Sequence, residues 1–230
     1  MYKIELIKVI EGLSSDLETG LFNKVAINGA VINTHTVKLG NKLLAYKNLP
    51  NVPSNLIRES KKIKTRDNAE INLSIYKAKD MNEKQPCLVY FHGGGFFLKD
   101  EAYIHKIVMK YALFAKCTVV FVHYRTCDGY PFPTPFYDAM EYVWENAENL
   151  NIDKDRIAVG GDSAGGALAA SCTHWCKDHH ILLCFQLLIY PVIDKRMKTD
   201  TAIRYKYGPL WNSSMSKKMW ELYLRDGITD

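Results

Sequence analysis

Two short stretches carry residues whose types and spacing could do chemistry. In VGGDSAGGALAA (159–170), Ser163 sits at the centre of a Gly-x-Ser-x-Gly pattern. A serine flanked by small residues at the end of an apolar strand fits a sharp strand-to-helix turn. There Gly161, Gly165 and Gly166 let the chain pass close to itself. The helix that follows sets its N-terminus beneath the serine oxygen, where negative charge is favoured. The second stretch, His92-Gly93-Gly94-Gly95-Phe96, follows the apolar run PCLVYF. Consecutive glycines let backbone N–H groups face a cavity with no side chain in the way, which is what stabilising an oxyanion requires. Acyl transfer through Ser163 is the chemistry these residues imply. A nucleophilic serine also needs a base, and the last histidine in the 230 residues is His180.

The elements that must position these residues are legible in the hydrophobic pattern. Continuous apolar runs at 86–92, 117–124, 156–161 and 182–190 read as strands covered on both faces, the mark of a parallel sheet. INLSIY alternates Ile71, Leu73 and Ile75 with polar residues and reads as a half-buried strand, with KIKTRDNAE supplying a strand and turn before it. Between the runs lie helical patterns. Ile104, Ile107, Val108, Tyr111 and Phe114 mark a face over 101–115. Ala139, Met140, Val143, Trp144 and Ala147 mark a second, and a third helix follows Ser163. Strand–helix alternation of this kind predicts an α/β fold with a mostly parallel sheet flanked by helices. The segment 199–226 returns to helical aromatic spacing (Trp211, Met215, Trp220, Tyr223) and reads as a lid element.

Composition excludes several classes of function. With 47% hydrophobic and 24% charged residues and a formal charge of +5, the chain reads as an ordinary globular domain. The densest basic run, Arg58 to Arg66, is interrupted by Glu59 and reads as a solvated strand end, not a nucleic-acid stripe. MYKIELIKVIEGL breaks its apolar residues with charges, so it reads as an amphipathic helix docked on its own domain and not as a signal peptide. The run 181–193 is too short to span a bilayer. Six cysteines without an export signal point to reduced thiols in the cytoplasm. Cys172, Cys176 and His180 share a helical spacing, but Cys residues on a helix packed against a sheet read as core fillers; no metal and no cofactor are expected.

The motifs together resemble one family, the hormone-sensitive-lipase-like branch of the α/β-hydrolases, which includes bacterial acetyl-type carboxylesterases. The resemblance rests on HGGGF (92–96), GDSAGG (161–166), DKDRIAVGG before the latter, YPVID (190–194), and Tyr124-Arg125 followed by Pro131-Phe132-Pro133 and Asp138. It covers roughly residues 60 to 225. One departure is Cys127-Asp128-Gly129, where the family has Ala-Pro-Glu. The resemblance implies a nucleophilic Ser163, oxyanion donors at Ala164 and in the Gly93–Gly95 loop, and structural roles for His92, Gly161, Asp162, Gly165, Gly166 and Asp138. It also implies N-terminal cap helices in 1–45 and a core over 46–230 that contains the lid-like 199–226. The expected substrates are small carboxylic esters of short or medium acyl chain.

The resemblance further implies an acid and a histidine after two later strands, for which this chain has no counterpart. Roughly 60–80 residues would be needed for them at ordinary element lengths. None of the residues present is a convincing base. His174, His179 and His180 lie on the helix leaving Ser163, and His174 is roughly 15 Å along it. His92 belongs to the glycine loop. His105 and His123 read as packing or surface residues, and Asp194 is an acid without a histidine. The expectation is therefore a carboxylesterase lacking its last two strands, inactive or crippled in hydrolysis, with strand 182–190 exposed as an edge that leaves it unstable or makes it dimerise. The rival reading is a non-catalytic ligand-binding protein on the same fold.

Overall fold

The computed structural model describes residues 32–45, 49–81, 83–132, 137–204, 206 and 211–225. The N-terminal helix expected at 1–13 lies outside them, as does Pro133; the side chain of Asp138 is likewise outside the description. The chain divides into two units, one comprising Thr34–Ile193 with the residues from Leu222 onward, the other the residues up to Asn33 with Asp194–Glu221.

The first unit is built on six strands: β1 (Leu56–Lys64), β2 (Glu70–Ala78), β3 (Gln85–Phe91), β4 (Thr118–His123), β5 (Ile152–Asp162) and β6 (Phe185–Ile189). Their order across the sheet is β1-β2-β4-β3-β5-β6. The pairs β3–β4, β3–β5 and β5–β6 are parallel, while β1–β2 and β2–β4 are antiparallel. Helices α1 (Thr34–Ala45), α2 (Ala102–Phe114), α3 (Tyr137–Glu145) and α4 (Ala164–Asp178) belong to this unit. The chain leaves β3 toward β4 and leaves β5 toward β6, so the neighbouring strands β3 and β5 send their connections in opposite directions. The carboxyl ends of such a pair bound the crevice where open α/β sheets hold ligands.

The sequence pattern holds in most places and fails in three instructive ones. Ser74 and Tyr76, expected outward, are buried along with Leu73 and Ile75, because β2 lies between β1 and β4 and α2 covers its second face. The buried stripe of α2 is Ile104, His105, Val108, Met109 and Ala112, leaving Phe114 59% exposed. The run 182–190, expected to be covered, forms only the short β6, and Leu182, Phe185 and Tyr190 are exposed. Among the described residues β6 pairs with β5 alone, so one of its edges has no strand beside it.

In the second unit, α5 (Asp200–Arg204) and the start of α6 (Ser213–Tyr223) are joined by a hydrogen bond from Ser213 Oγ to the Ala202 carbonyl. Asn212 caps α6 through its side-chain oxygen on the Met215 amide, 3.1 Å. The described helices of 199–226 are thus Asp200–Arg204 and Ser213–Tyr223. No helix among the described residues is long and apolar enough to cross a membrane.

Helix α1 buries Val37 and is tied to the glycine loop by Asn41. Asn41 donates from Nδ2 to the Phe97 carbonyl at 2.7 Å and accepts the Lys99 amide on Oδ1 at 2.9 Å, clamping the loop that follows the triple glycine. Removing both bonds by Asn41→Ala leaves the buried Phe97 carbonyl and the part-buried Lys99 amide short of a partner, so the substitution should destabilise the protein by about 1–3 kcal/mol. Urea denaturation measures this, with an unchanged midpoint counting against the clamp.

Candidate active site

The register of β3 on β5 decides what stands beside what. Phe91 faces Gly161, so the loop that begins at His92 lies next to the turn at Asp162 and Ser163. Gly161 and Gly165 make this approach possible. A Cβ on Gly165 would overlap the carbonyls of Phe91 and His92, and one on Gly161 would overlap both the Gly165 backbone and the Phe91 carbonyl. Gly166 lies against Pro191. The small residues therefore seat the first turn of α4 on the end of β3.

Ser163 occupies a left-handed conformation, φ 53° and ψ −118°, at the N-cap of α4. Such a conformation costs a non-glycine residue on the order of 1–3 kcal/mol and persists only where its surroundings hold it. Here the backbone is gripped on both sides. The Ser163 amide donates to the Ile189 carbonyl at 2.9 Å, and its carbonyl accepts the amides of Val192 and Ala167 at 3.1 and 3.2 Å. The side chain is partly exposed at the carboxyl end of β5.

Asp162 ties the two motifs together. Its buried Oδ1 accepts the Tyr90 hydroxyl at 2.9 Å and the Gly93 amide at 3.0 Å. Burial pushes this carboxyl above the ordinary range, while the two donors favour its charged form. The Gly93 N–H is thereby spent, which narrows the expected oxyanion donors to Gly94, Gly95 and Ala164. The amides of these three donate no hydrogen bond among the described residues. Gly94 (φ 122°), Gly95 (φ 60°) and Phe96 (φ 62°) are left-handed in succession, and the Gly94 carbonyl accepts the Phe97 and Leu98 amides. Only the absence of a Cβ at Gly94 permits its φ without strain.

His92 is a structural member of this loop. It is fully buried, and its ring is stacked on Tyr124 at a centroid distance of 4.2 Å. The Nδ1 atom lies 2.6 Å from the Gly93 carbonyl, which can only accept, so Nδ1 carries the proton. The Tyr124 hydroxyl donates to the His92 carbonyl, and the Cys127 amide to the Phe96 carbonyl. The departure at Cys127-Asp128-Gly129 thus forms a turn, closed by Thr126 Oγ1 on Asp128 Oδ1, whose Cys127 still supports the glycine loop. Asn41, Tyr90 and Tyr124 were not singled out by spacing for these roles, since each acts through contacts between residues far apart in sequence.

The other candidate residues are placed elsewhere. Among the described residues no histidine ring is hydrogen-bonded to Ser163. His179 Nδ1 bonds the Trp175 carbonyl, His174 and His180 are exposed, and His105 and His123 both face Asp100. Asp194 forms a two-pronged pair with Arg196. Cys172 and Cys176 are buried, whereas His180 is exposed and lies beyond the end of α4 with φ 55°, so these three do not share one helical face.

A sheet of this topology with a strained serine after β5 and a glycine loop after β3 defines an α/β-hydrolase. A family model described as alpha/beta hydrolase fold matches residues 88–230, and the chain belongs to that family. It is 33% identical over 193 residues to an arylesterase of Saccharolobus solfataricus, covering 81% of this chain and 61% of that protein. It is 36% identical over 126 residues to a carboxylesterase of Mycobacterium tuberculosis, covering 53% of this chain and 40% of that one. Esterase LipW from Mycobacterium marinum superposes with a TM-score of 0.74 at 26% identity, over 86% of this chain and 65% of its own. The chain thus spans less than two thirds of the length of these relatives.

Burial lowers the His92 pKa from 6.5 to about 4. Between those values the unfolded chain takes up a proton that the folded ring refuses, so this group makes stability fall as pH drops from 6.5 to 4. Over that window the melting temperature of the wild type should fall more steeply than that of His92→Asn. Equal slopes would mean that His92 is charged in the fold.

Proposed function

We propose that this chain carries the nucleophilic centre of a serine carboxylester hydrolase acting on small esters of short or medium acyl chain. Ser163 Oγ attacks the ester carbonyl, the alkoxide leaves with a proton, and water later releases the acid from the acyl-enzyme. The amides of Ala164, Gly94 and Gly95 take the developing oxyanion. The observation that carries this reading is the pairing of a strained Ser163 with backbone amides that have no partner of their own among the described residues. Relatives that are named arylesterase and carboxylesterase support it.

Proton removal from Ser163 needs a base, and no described histidine is bonded to it. The 230-residue chain is therefore expected to acylate slowly and to turn over poorly. With p-nitrophenyl acetate, intact-mass measurement and peptide mapping should find an acetyl group accumulating on Ser163 and absent from Ser163→Ala. Steady turnover should stay within a few-fold of that variant. Rapid turnover abolished by Ser163→Ala would mean that the chain supplies its own base. Absence of any Ser163 adduct would favour the second reading, a ligand-binding protein on this fold, which a Ser163 hydroxyl with no partner among the described residues also fits.

Two further points belong to this proposal. All six cysteines are free thiols and five are buried, which fits a reducing compartment, the cytoplasm. The edge of β6 that has no strand beside it among the described residues carries Phe185, 58% exposed, and we infer that two copies associate there. Sedimentation should show concentration-dependent dimers that Phe185→Lys weakens at least tenfold; a wild-type monomer throughout would refute this.

A further inference from the structure

We propose that Asp100, His105 and His123 form a binding site for a divalent transition-metal ion of the zinc type, separate from the centre at Ser163. The three residues come from the loop after the triple glycine, from α2 and from the end of β4. Each offers one ligand atom, and these atoms all lie within 4.8 Å of one another. His105 Nε2 is 2.7 Å from Asp100 Oδ2, and His123 Nδ1 is 3.0 Å from Asp100 Oδ1. Two imidazoles and a carboxylate are a donor set suited to zinc and its neighbours in the first transition row. Around such an ion, at bond lengths of about 2.0–2.2 Å, adjacent ligand atoms stand roughly 3.4 Å apart. With one Asp100 oxygen as ligand, the close histidine pair on that oxygen opens only slightly, while the other separations, all within 4.8 Å, adjust toward the same spacing.

The surroundings are those of a built site. The far nitrogen of each ring meets a hydroxyl: Tyr76 OH lies 2.6 Å from His105 Nδ1, and Ser74 Oγ lies 2.8 Å from His123 Nε2. The Asp100 carboxylate can only accept, so Nε2 of His105 and Nδ1 of His123 donate to it in this structure. A metal held at those two nitrogens would leave the far nitrogen of each ring to carry a proton, which the hydroxyl beside it can accept. Such outer partners fix ring orientation at metal centres.

Access and charge also fit. Asp100 and His123 line a cavity of about 630 Å³ that can supply water to the remaining coordination positions. Burial raises the Asp100 carboxyl, but the two imidazole bonds outweigh it and hold the group well below the usual carboxylate range. Asp100 therefore stands ready as an anionic ligand. The cavity walls also carry Glu70, Lys99 and Arg125, the last paired with Asp67 at 2.7 Å.

The test uses the whole chain and the metal alone. Titration with Co²⁺ should give one equivalent with the visible absorption of a low-coordinate site, displaced by Zn²⁺, and Zn²⁺ should raise the melting temperature. Asp100→Asn and His123→Asn should each weaken binding at least tenfold. Replacing the exposed His179 and His180 by alanine should leave it unchanged. If either ligand variant fails to melt cooperatively, Tyr76→Phe and Ser74→Ala decide, each expected to weaken binding about tenfold. A wild-type spectrum identical to aqueous Co²⁺, undiminished binding in the ligand variants, or loss of binding on removing His179 and His180 would overturn the proposal.

Discussion

The carboxylate of Asp162 is the constraint on which the rest of the site depends. It lies buried at the end of β5, where an unpartnered charge would be costly, and it accepts one donor from β3 and one from the loop after β3. One donor, Tyr90, sits on β3; the other, the Gly93 amide, begins the glycine loop. Because Asp162 immediately precedes Ser163, fixing its side chain also fixes the turn that strains the serine. Taking up the Gly93 amide settles which amides of the loop remain unspent. Gly93 itself has no room for a side chain, since a Cβ would collide with this carboxylate.

A second polar network lies on the other side of the same loop. Asp100 closes the segment that His92 opens, and its two imidazole partners reach β2 through Ser74 and Tyr76. Phe121 packs between them, its ring 5.6 Å from His92 and 4.3 Å from His105. The loop from 92 to 100 is thus anchored by charge at both ends and by Asn41 along its length. Backbone strain at Phe96 and Ser163 persists only because neighbouring groups are so fully bonded.

Much of this was legible in the sequence because it depends on local rules. Unbroken apolar runs announce covered strands, and the spacing of small residues around Ser163 announces a tight turn. Of the stripe Ala139, Met140, Val143, Trp144 and Ala147, all but the half-buried Trp144 are buried as its period requires. The failures share a cause. Ser74, Tyr76 and His105 look polar or amphipathic along the chain, yet they are buried because a distant partner satisfies each one. Burial of a polar group follows from its hydrogen bonds, and those cross from one element to another.

The sequence by itself determined the fold class, the two glycine motifs and the position of Ser163, since these rest on periodicity and on steric freedom within a few residues. The tertiary structure decided which amides stay free, that Asp162 and not a nearer group binds Gly93, and that Asp100, His105 and His123 converge. Those outcomes depend on the register of β3 against β5 and on how α2 seats over β2 and β4. No spacing along a single chain encodes such placements, because they are set by packing among elements far apart in sequence.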